Sequence, residues 1–436
     1  MTVRKSVLSS THRLFDTAHF TFVTLSNGIR VWIQTPKIRI SDEGILAAIL
    51  PRVGGIQDPP DKSGVSHYFE HVLSRGTERF PSREALFRPV KVRGGTADIA
   101  SARSMYTYCA TLLPIEHLAT AAEALYQIVA EPLIRSEDVA MEQGVILEEL
   151  ALQKSTGHTV ATWQYLEALF GAHPLRTNVL GTEDSIRSIT AEDLRAFHHR
   201  FYHAGNVELI CGGAFADRPD VYSVLDKHFG SWRVQEKAAL PDASLLPIGK
   251  EGSQVIECAG THRDSIRFLW LVPKVSFEDA CAIEMLAAAL SSGTDSLLLR
   301  ALREKHGLGY EDRLVQAWYL PDCCLIQFYC PTDRLHFERV ESIFRDVLDE
   351  LDEAAVWSYQ QQAQLARRRA FVSPCAACAP SRYTWDFDLP DQIVAYGWPI
   401  SHHEWERKSD SVSTEHVLRW ARYLLDHKPF VVELMD

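Results

Sequence analysis

The sequence predicts an α+β protein built from two homologous domains, each an antiparallel sheet with helices packed on one face. Three observations predict it. The chain has 436 residues, more than one ordinary core of roughly 100–200 residues accommodates. Alternating strand-like stretches are interleaved with segments of helical period. The order of those elements in the first half returns in the second, without sequence identity between the halves.

Taken in order, TFVTLSNGIRVWIQT (21–35) alternates apolar and polar residues around Asn27-Gly28, a hairpin signal, and ILAAILPRVGG reads as a further strand. A helix is expected over about 64–74, ended by Gly76. Strands are expected over about 95–112, where SMYTYCATL alternates. Two helices follow, about 114–131 and 136–154, the second with Ser136 as N-cap and Glu137 and Asp138 in its first turn. A helix over about 184–202 takes Thr190 as an N-cap, and VELICGGAF reads as a buried strand. In the second half, RFLWLVPKV reads as a strand and EDACAIEMLAAALSSG as a helix. LVQAWYLPDCCLIQFYC reads as a hairpin with Cys323 and Cys324 buried, and FERVESIFRDVLDEL as an amphipathic helix. The irregular, proline-containing stretch 233–252 divides a domain at 1–232 from one at 253–436.

Composition narrows the function. Hydrophobic residues make up 46% and charged residues 23%, as in ordinary globular proteins, and no apolar run reaches the length of a membrane span. The net charge of -12 argues against a nucleic-acid partner, which needs positive charge to displace counterions. Nine scattered cysteines, an odd number, favour a reducing compartment, and Cys375-Ala-Ala-Cys378 reads as a loop with two free thiols. The N-terminus is basic and free of acid until Asp16, a faint likeness to a mitochondrial presequence. A cytoplasmic, bacterial location is expected, with the mitochondrial matrix as the alternative.

The chemistry concentrates in SGVSHYFEHVL (63–73). His67 and His71 are spaced i, i+4, so on a helix they share a face and can share a metal. Glu70 lies on the same side, placed to accept a proton from a water at that metal. The order H-x-x-E-H inverts the commoner H-E-x-x-H of zinc proteases. A third ligand has to come from elsewhere, and SEDVAMEQGVILEELALQKS offers Glu142, Glu148 and Glu149. Glu142 and Glu149 are seven apart and lie nearly on one line, with Val145 and Ile146 between them, whereas Glu148 is about 100° away. Periodicity favours the Glu142/Glu149 face without choosing the ligand. The remaining histidines, such as His198-His199 and His402-His403, are expected to be exposed or capping.

With these residues in view, the sequence resembles the insulinase/pitrilysin (inverzincin) family of zinc metallopeptidases, and most of all the branch that includes mitochondrial processing peptidase and its bacterial relatives. HYFEHVLSRGTERFP is similar to the family's H-F-L-E-H-M-L-F-K-G-T phrase, and EQGVILEEL to its E-R-x-V-I-x-x-E phrase. HPLRTNVLGTEDSIRSITAEDL is similar to a further family phrase, and LREKHGLGY to one that brings an Arg/Tyr pair to the substrate. The resemblance implies one zinc ion per chain held by His67, His71 and Glu149, with Glu142 supporting it, Glu70 as catalytic base, and Arg303 and Tyr310 as donors to the scissile carbonyl. It implies a zinc endopeptidase that takes peptides or unfolded precursor segments into a clamshell chamber, pairing them with an edge strand at Gly95, Asp98, Ile99 and Ala100. The alternative is a catalytically silent or partner-dependent subunit. A homodimer, or a heterodimer with a related chain, is the expected assembly. The chain departs from the family at GGTADIAS, where Asp98 and Ile99 stand in place of asparagine and alanine. A negative Asp98 suits a basic residue on the peptide.

Overall fold

The computed structural model describes residues 20–34, 42–102, 104–260, 263–291, 296–309, 314–356, 389–400 and 402–436. The chain forms two compact units. The first takes residues up to Leu150, Thr177–Pro241 and a stretch ending at Glu404; the second takes Ala151–Arg176, a stretch beginning at Asp242, and Trp405–Asp436. Each unit therefore draws on both halves of the sequence.

The first unit is built on a six-stranded sheet. Its strands are β1 (Phe20–Thr24), β2 (Arg30–Gln34), β3 (Glu43–Leu50), β4 (Thr96–Ala102), β5 (Thr107–Pro114) and β6 (Glu208–Gly213). They lie in the order β1-β2-β6-β3-β5-β4, which puts β4 at an edge. The Asn27-Gly28 turn closes the first hairpin, with Gly28 at φ 93° and Leu25 N–H donating to Ile29 O. All pairs are antiparallel except β2 with β6, which the long intervening chain permits. Helix α1 (Val65–Leu73) lies against β4, and α3 (Leu118–Ala130) covers β3 and β5. Tyr68, Phe69, Val72, Leu125, Ile128, Ile146 and Phe201 share one buried core.

Between them the chain forms α2 (Arg83–Lys91), which the sequence pattern does not reveal because Pro89 interrupts it. Ser82 caps this helix by accepting from Ala85 N–H. Helix α4 (Ser136–Lys154) follows, and then α5 (Gly157–Phe170), α6 (Glu183–Ser188), α7 (Ala191–Phe201) and α8 (Val221–Phe229). Thr190 caps α7 as expected, in a reciprocal box with Asp193.

His198 is capping rather than exposed: it packs against Phe69 and Tyr202, and its Nε2 lies 3.1 Å from Val129 O, a carbonyl in the last turn of α3. It sits four residues after Leu194, on the inward face of α7, whereas His199 faces solvent.

The second unit holds the sheet β7 (Gly252–Glu257), β8 (Ser265–Pro273), β9 (Val315–Tyr319), β10 (Cys323–Pro331) and β11 (Phe430–Met435), in the order β7-β11-β8-β10-β9. Among the described residues, its one parallel pair is β7 with β11. Cys323 and Cys324 are buried in β10, as the apolar run implied. On one face Phe268 and Phe328 stack and meet Phe344 of the helix Phe337–Asp349. On the other, Arg267 lies over Tyr329 and faces Tyr165 of α5. Neighbouring residues in a strand point to opposite faces. Helix α5 therefore adds a layer on the second face, beyond the single helical layer that the sequence rhythm suggests.

Candidate metal centre

Helix α1 carries its polar residues because its other face is fully apolar. Val65, Tyr68, Phe69, Val72 and Leu73 are all buried. Its N-terminus is held from outside the helix. Gly64 sits at φ 91° and makes no side-chain cap, so Asp58 reaches in instead. Gly64 N–H donates to Asp58 Oδ2 at 2.7 Å and Ser66 N–H to Oδ1 at 3.1 Å. A Cβ on Gly64 would stand 2.7 Å from Leu180 O and 3.0 Å from Gly181 Cα. The GTEDSI phrase thus braces α1, and Ser185 Oγ adds a 2.6 Å bond to Ser63 O.

Helix α4 is fixed against α1 by Tyr68, whose hydroxyl donates to Val139 O at 2.6 Å. This brings the two histidines beside the carboxylates of α4. Glu149 Oε2 lies 3.3 Å from His71 Nε2 and 3.7 Å from His67 Nε2. The three ligand atoms that His67, His71 and Glu149 offer all lie within 4.8 Å of one another. Glu142, 5% exposed, faces the other side of His71, with Oε2 3.0 Å from Nδ1. Its Oε1 pairs with the Arg75 guanidinium. Glu148 is exposed.

Charge follows this geometry. Burial, reinforced by the neighbouring His71, pushes the His67 imidazole down to about 4, although Glu149 opposes the shift. Burial also acts to lower His71, but its contacts with Glu149 and Glu142 outweigh that and hold it above its ordinary value. The His71 contact leads in holding the Glu149 carboxyl below the usual range, against its burial. His67 is therefore neutral and Glu149 ionised at pH 7, the forms that bind metal.

The donor set fits zinc. Two imidazoles and one carboxylate are a known catalytic zinc set, and bonds of about 2.0–2.2 Å in a tetrahedron place neighbouring ligand atoms roughly 3.3–3.6 Å apart. The His71–Glu149 separation of 3.3 Å falls at that spacing, and the His67–Glu149 separation of 3.7 Å lies just beyond it. Among the described residues, His67 Nδ1 is buried without a hydrogen-bond partner.

Gly95 precedes β4, where a Cβ would approach Leu112 O to 2.5 Å. Asp98, Ile99 and Ala100 are within β4, whose pairing with β5 shifts register between Asp98 and Ser101. Arg303 is exposed in the second unit, within the turn Arg300–Glu304. Tyr310 and the Cys375–Cys378 pair fall outside the described residues. Arg75 escaped the sequence reading, since an arginine at the end of a helix ordinarily reads as a solvated cation. Its position four residues after His71 was the available signal.

Fold and donor set together define a two-unit α+β protein with a His–His–Glu cluster of metal-ligand geometry. Residues 44–183 match the model for insulinase (peptidase family M16), and residues 188–357 match that for the peptidase M16 inactive domain. An uncharacterised zinc protease of Streptomyces coelicolor is 28% identical over 338 residues, 76% of this chain and 71% of that protein. The uncharacterised zinc protease YmxG of Bacillus subtilis is 24% identical over 341 residues, 77% of this chain and 79% of its own length. Among solved structures, a protease from Helicobacter pylori superposes with a TM-score of 0.80 at 17% identity, covering 96% of this chain and 99% of that one. The chain belongs to the insulinase family of peptidases, M16. Among the described residues, no helix is long and apolar enough to cross a membrane.

Proposed function

We propose that the chain is a zinc-dependent endopeptidase acting on peptides or unfolded precursor segments. The observation that carries this reading is the convergence of His67 Nε2, His71 Nε2 and Glu149 Oε2, with the far nitrogen of His71 on Glu142. These three residues would hold one zinc ion, which when bound supplies Lewis acidity to a water and to the scissile carbonyl. Glu142 keeps the Nδ1 proton of His71 in place, so that Nε2 presents its lone pair to the centre. Glu70, on the same helix as both histidines, takes the proton of the attacking water and hands it to the leaving nitrogen. The peptide adds as a strand along the β4 edge, running past Gly95, Asp98, Ile99 and Ala100. The family resemblance gives Arg303 and Tyr310 the role of donors to the carbonyl oxygen as negative charge develops on it.

The second reading is a catalytically silent subunit, or one that acts only with a related partner chain; the model matched by residues 188–357 is described as an inactive domain. One experiment separates the two. The purified chain is incubated with a mixture of unfolded peptides, with and without chelator, and the products are sequenced. Chelator-sensitive cleavage by this chain alone supports the first reading. Uncut peptides alongside a zinc-loaded protein support the second.

A further inference from the structure

The contact between Arg75 and Glu142 has no place in the chemistry above. Glu142 is buried and uses its two oxygens on different partners: Oε1 meets Arg75 Nη2 and Oε2 meets His71 Nδ1. A carboxylate held at both oxygens has its plane fixed. Arg75 is itself fixed, since its backbone N–H closes α1 on Val72 O and its carbonyl accepts from Arg135 Nη2 at 3.2 Å. Its side chain is mostly buried, and among the described residues its Nε has no hydrogen-bond partner. A buried guanidinium is costly unless paired, so the pair with Glu142 is what justifies Arg75 facing inward.

We infer that Arg75 is a positioning residue for the metal centre, acting through Glu142 on His71. With Oε1 taken by the guanidinium, Glu142 offers Oε2 to His71 as an acceptor only. His71 then carries its hydrogen on Nδ1, and Nε2 faces Glu149 and His67 as a lone pair. Remove Arg75 and the carboxylate is free to turn, and the constraint on the ring is lost. The planar guanidinium suits this role better than an ammonium, because it fixes direction as well as charge.

This inference rests on the reading of the cluster as a zinc site, and its test separates the two. Zinc affinity is measured by competition with a chelating dye for wild type, Arg75→Met, Arg75→Lys, Glu142→Gln and the Arg75→Met/Glu142→Gln double variant. The visible spectrum of the cobalt-loaded proteins is recorded in parallel, and thermal melting of the metal-free proteins checks folding. Arg75→Met is expected to lose about tenfold or more in zinc affinity, and Arg75→Lys to recover part of it. The double variant should bind no worse than Glu142→Gln alone, because Arg75 acts only through Glu142. The cobalt spectrum of Arg75→Met should shift toward that of Glu142→Gln. Wild-type affinity in Arg75→Met, or losses that add in full in the double variant, overturns the inference and leaves the zinc site standing. A wild-type chain that takes up no zinc overturns both. Glu142→Gln and Arg75→Lys keep the test decisive if Arg75→Met does not fold.

Discussion

Tyr68 ties the helix that carries both histidines to the helix that carries the glutamates, so Tyr68→Phe is an informative single-atom deletion. The ring is 0% exposed and stays packed when the oxygen is removed. Burial pushes the hydroxyl up to about 12, so at neutral pH it is a neutral donor. The change removes one buried 2.6 Å hydrogen bond and leaves Val139 O without that donor. A net hydrogen bond contributes about 1 kcal/mol, and a stranded buried acceptor costs about 1–3. Val139 O lies in the first turn of α4, where an intrahelical N–H partly satisfies it. The expected loss is therefore about 1–2 kcal/mol. For a unit of 150–250 residues that lowers the melting temperature by roughly 2–8 °C. The assay is thermal and urea unfolding of the metal-free protein, with zinc affinity measured alongside. Zinc binding should weaken less than in Glu142→Gln, because His71, Glu142 and Arg75 still join the two helices. An unchanged melting temperature would refute the view that this bond holds the helices together.

Other consequences follow from the same packing. His198 is pushed by burial down to about 4, so its neutral form stabilises the fold above its unfolded value of 6.5, and that contribution is lost as pH falls from 6.5 through 4. The span of 2.5 pKa units corresponds to about 3 kcal/mol. His198→Gln should flatten urea-midpoint curves between pH 6.5 and 4 relative to wild type, and parallel curves would contradict this. Gly64→Ala places a Cβ 2.7 Å from Leu180 O at φ 91°. Left-handed strain of about 1–2 kcal/mol and overpacking of about 1–3 add, so soluble yield and urea midpoint should both drop sharply; near-wild-type stability would show the brace to be dispensable. Asp98 on the β4 edge should favour peptides with Arg or Lys near the cut bond, and equal kcat/KM for neutral analogues would dismiss that role.

Much of the centre was legible because its signals are local. The i, i+4 spacing of His67 and His71, and the line of Glu142 and Glu149, follow from helix geometry and need no tertiary information. Choosing Glu149 over Glu142 as the carboxylate facing both Nε2 atoms was beyond periodicity, since both lie on one line and the choice depends on where α1 crosses α4. Arg75 was hidden for the same reason: only the fold brings a buried carboxylate to it. The parallel pairs β2–β6 and β7–β11 join strands distant in sequence, which no window can register. Helix α5 was missed because both its ends of the circumference carry apolar residues, such as Val160, Trp163 and Leu166 beside the buried Ala161, Tyr165 and Leu169. His198 looked solvated because its neighbours His199 and Arg200 are, yet the residues that decide its face are Leu194 and Phe201.

The most direct test of the account compares Glu70→Gln with wild type for zinc content and for cleavage of an unfolded peptide. Both proteins should hold one zinc per chain by elemental analysis, and the variant should lose turnover by several orders of magnitude. A variant that still cleaves, or a wild type that purifies and reconstitutes without zinc, would contradict the central claim that this cluster is a metallopeptidase centre with Glu70 as its base.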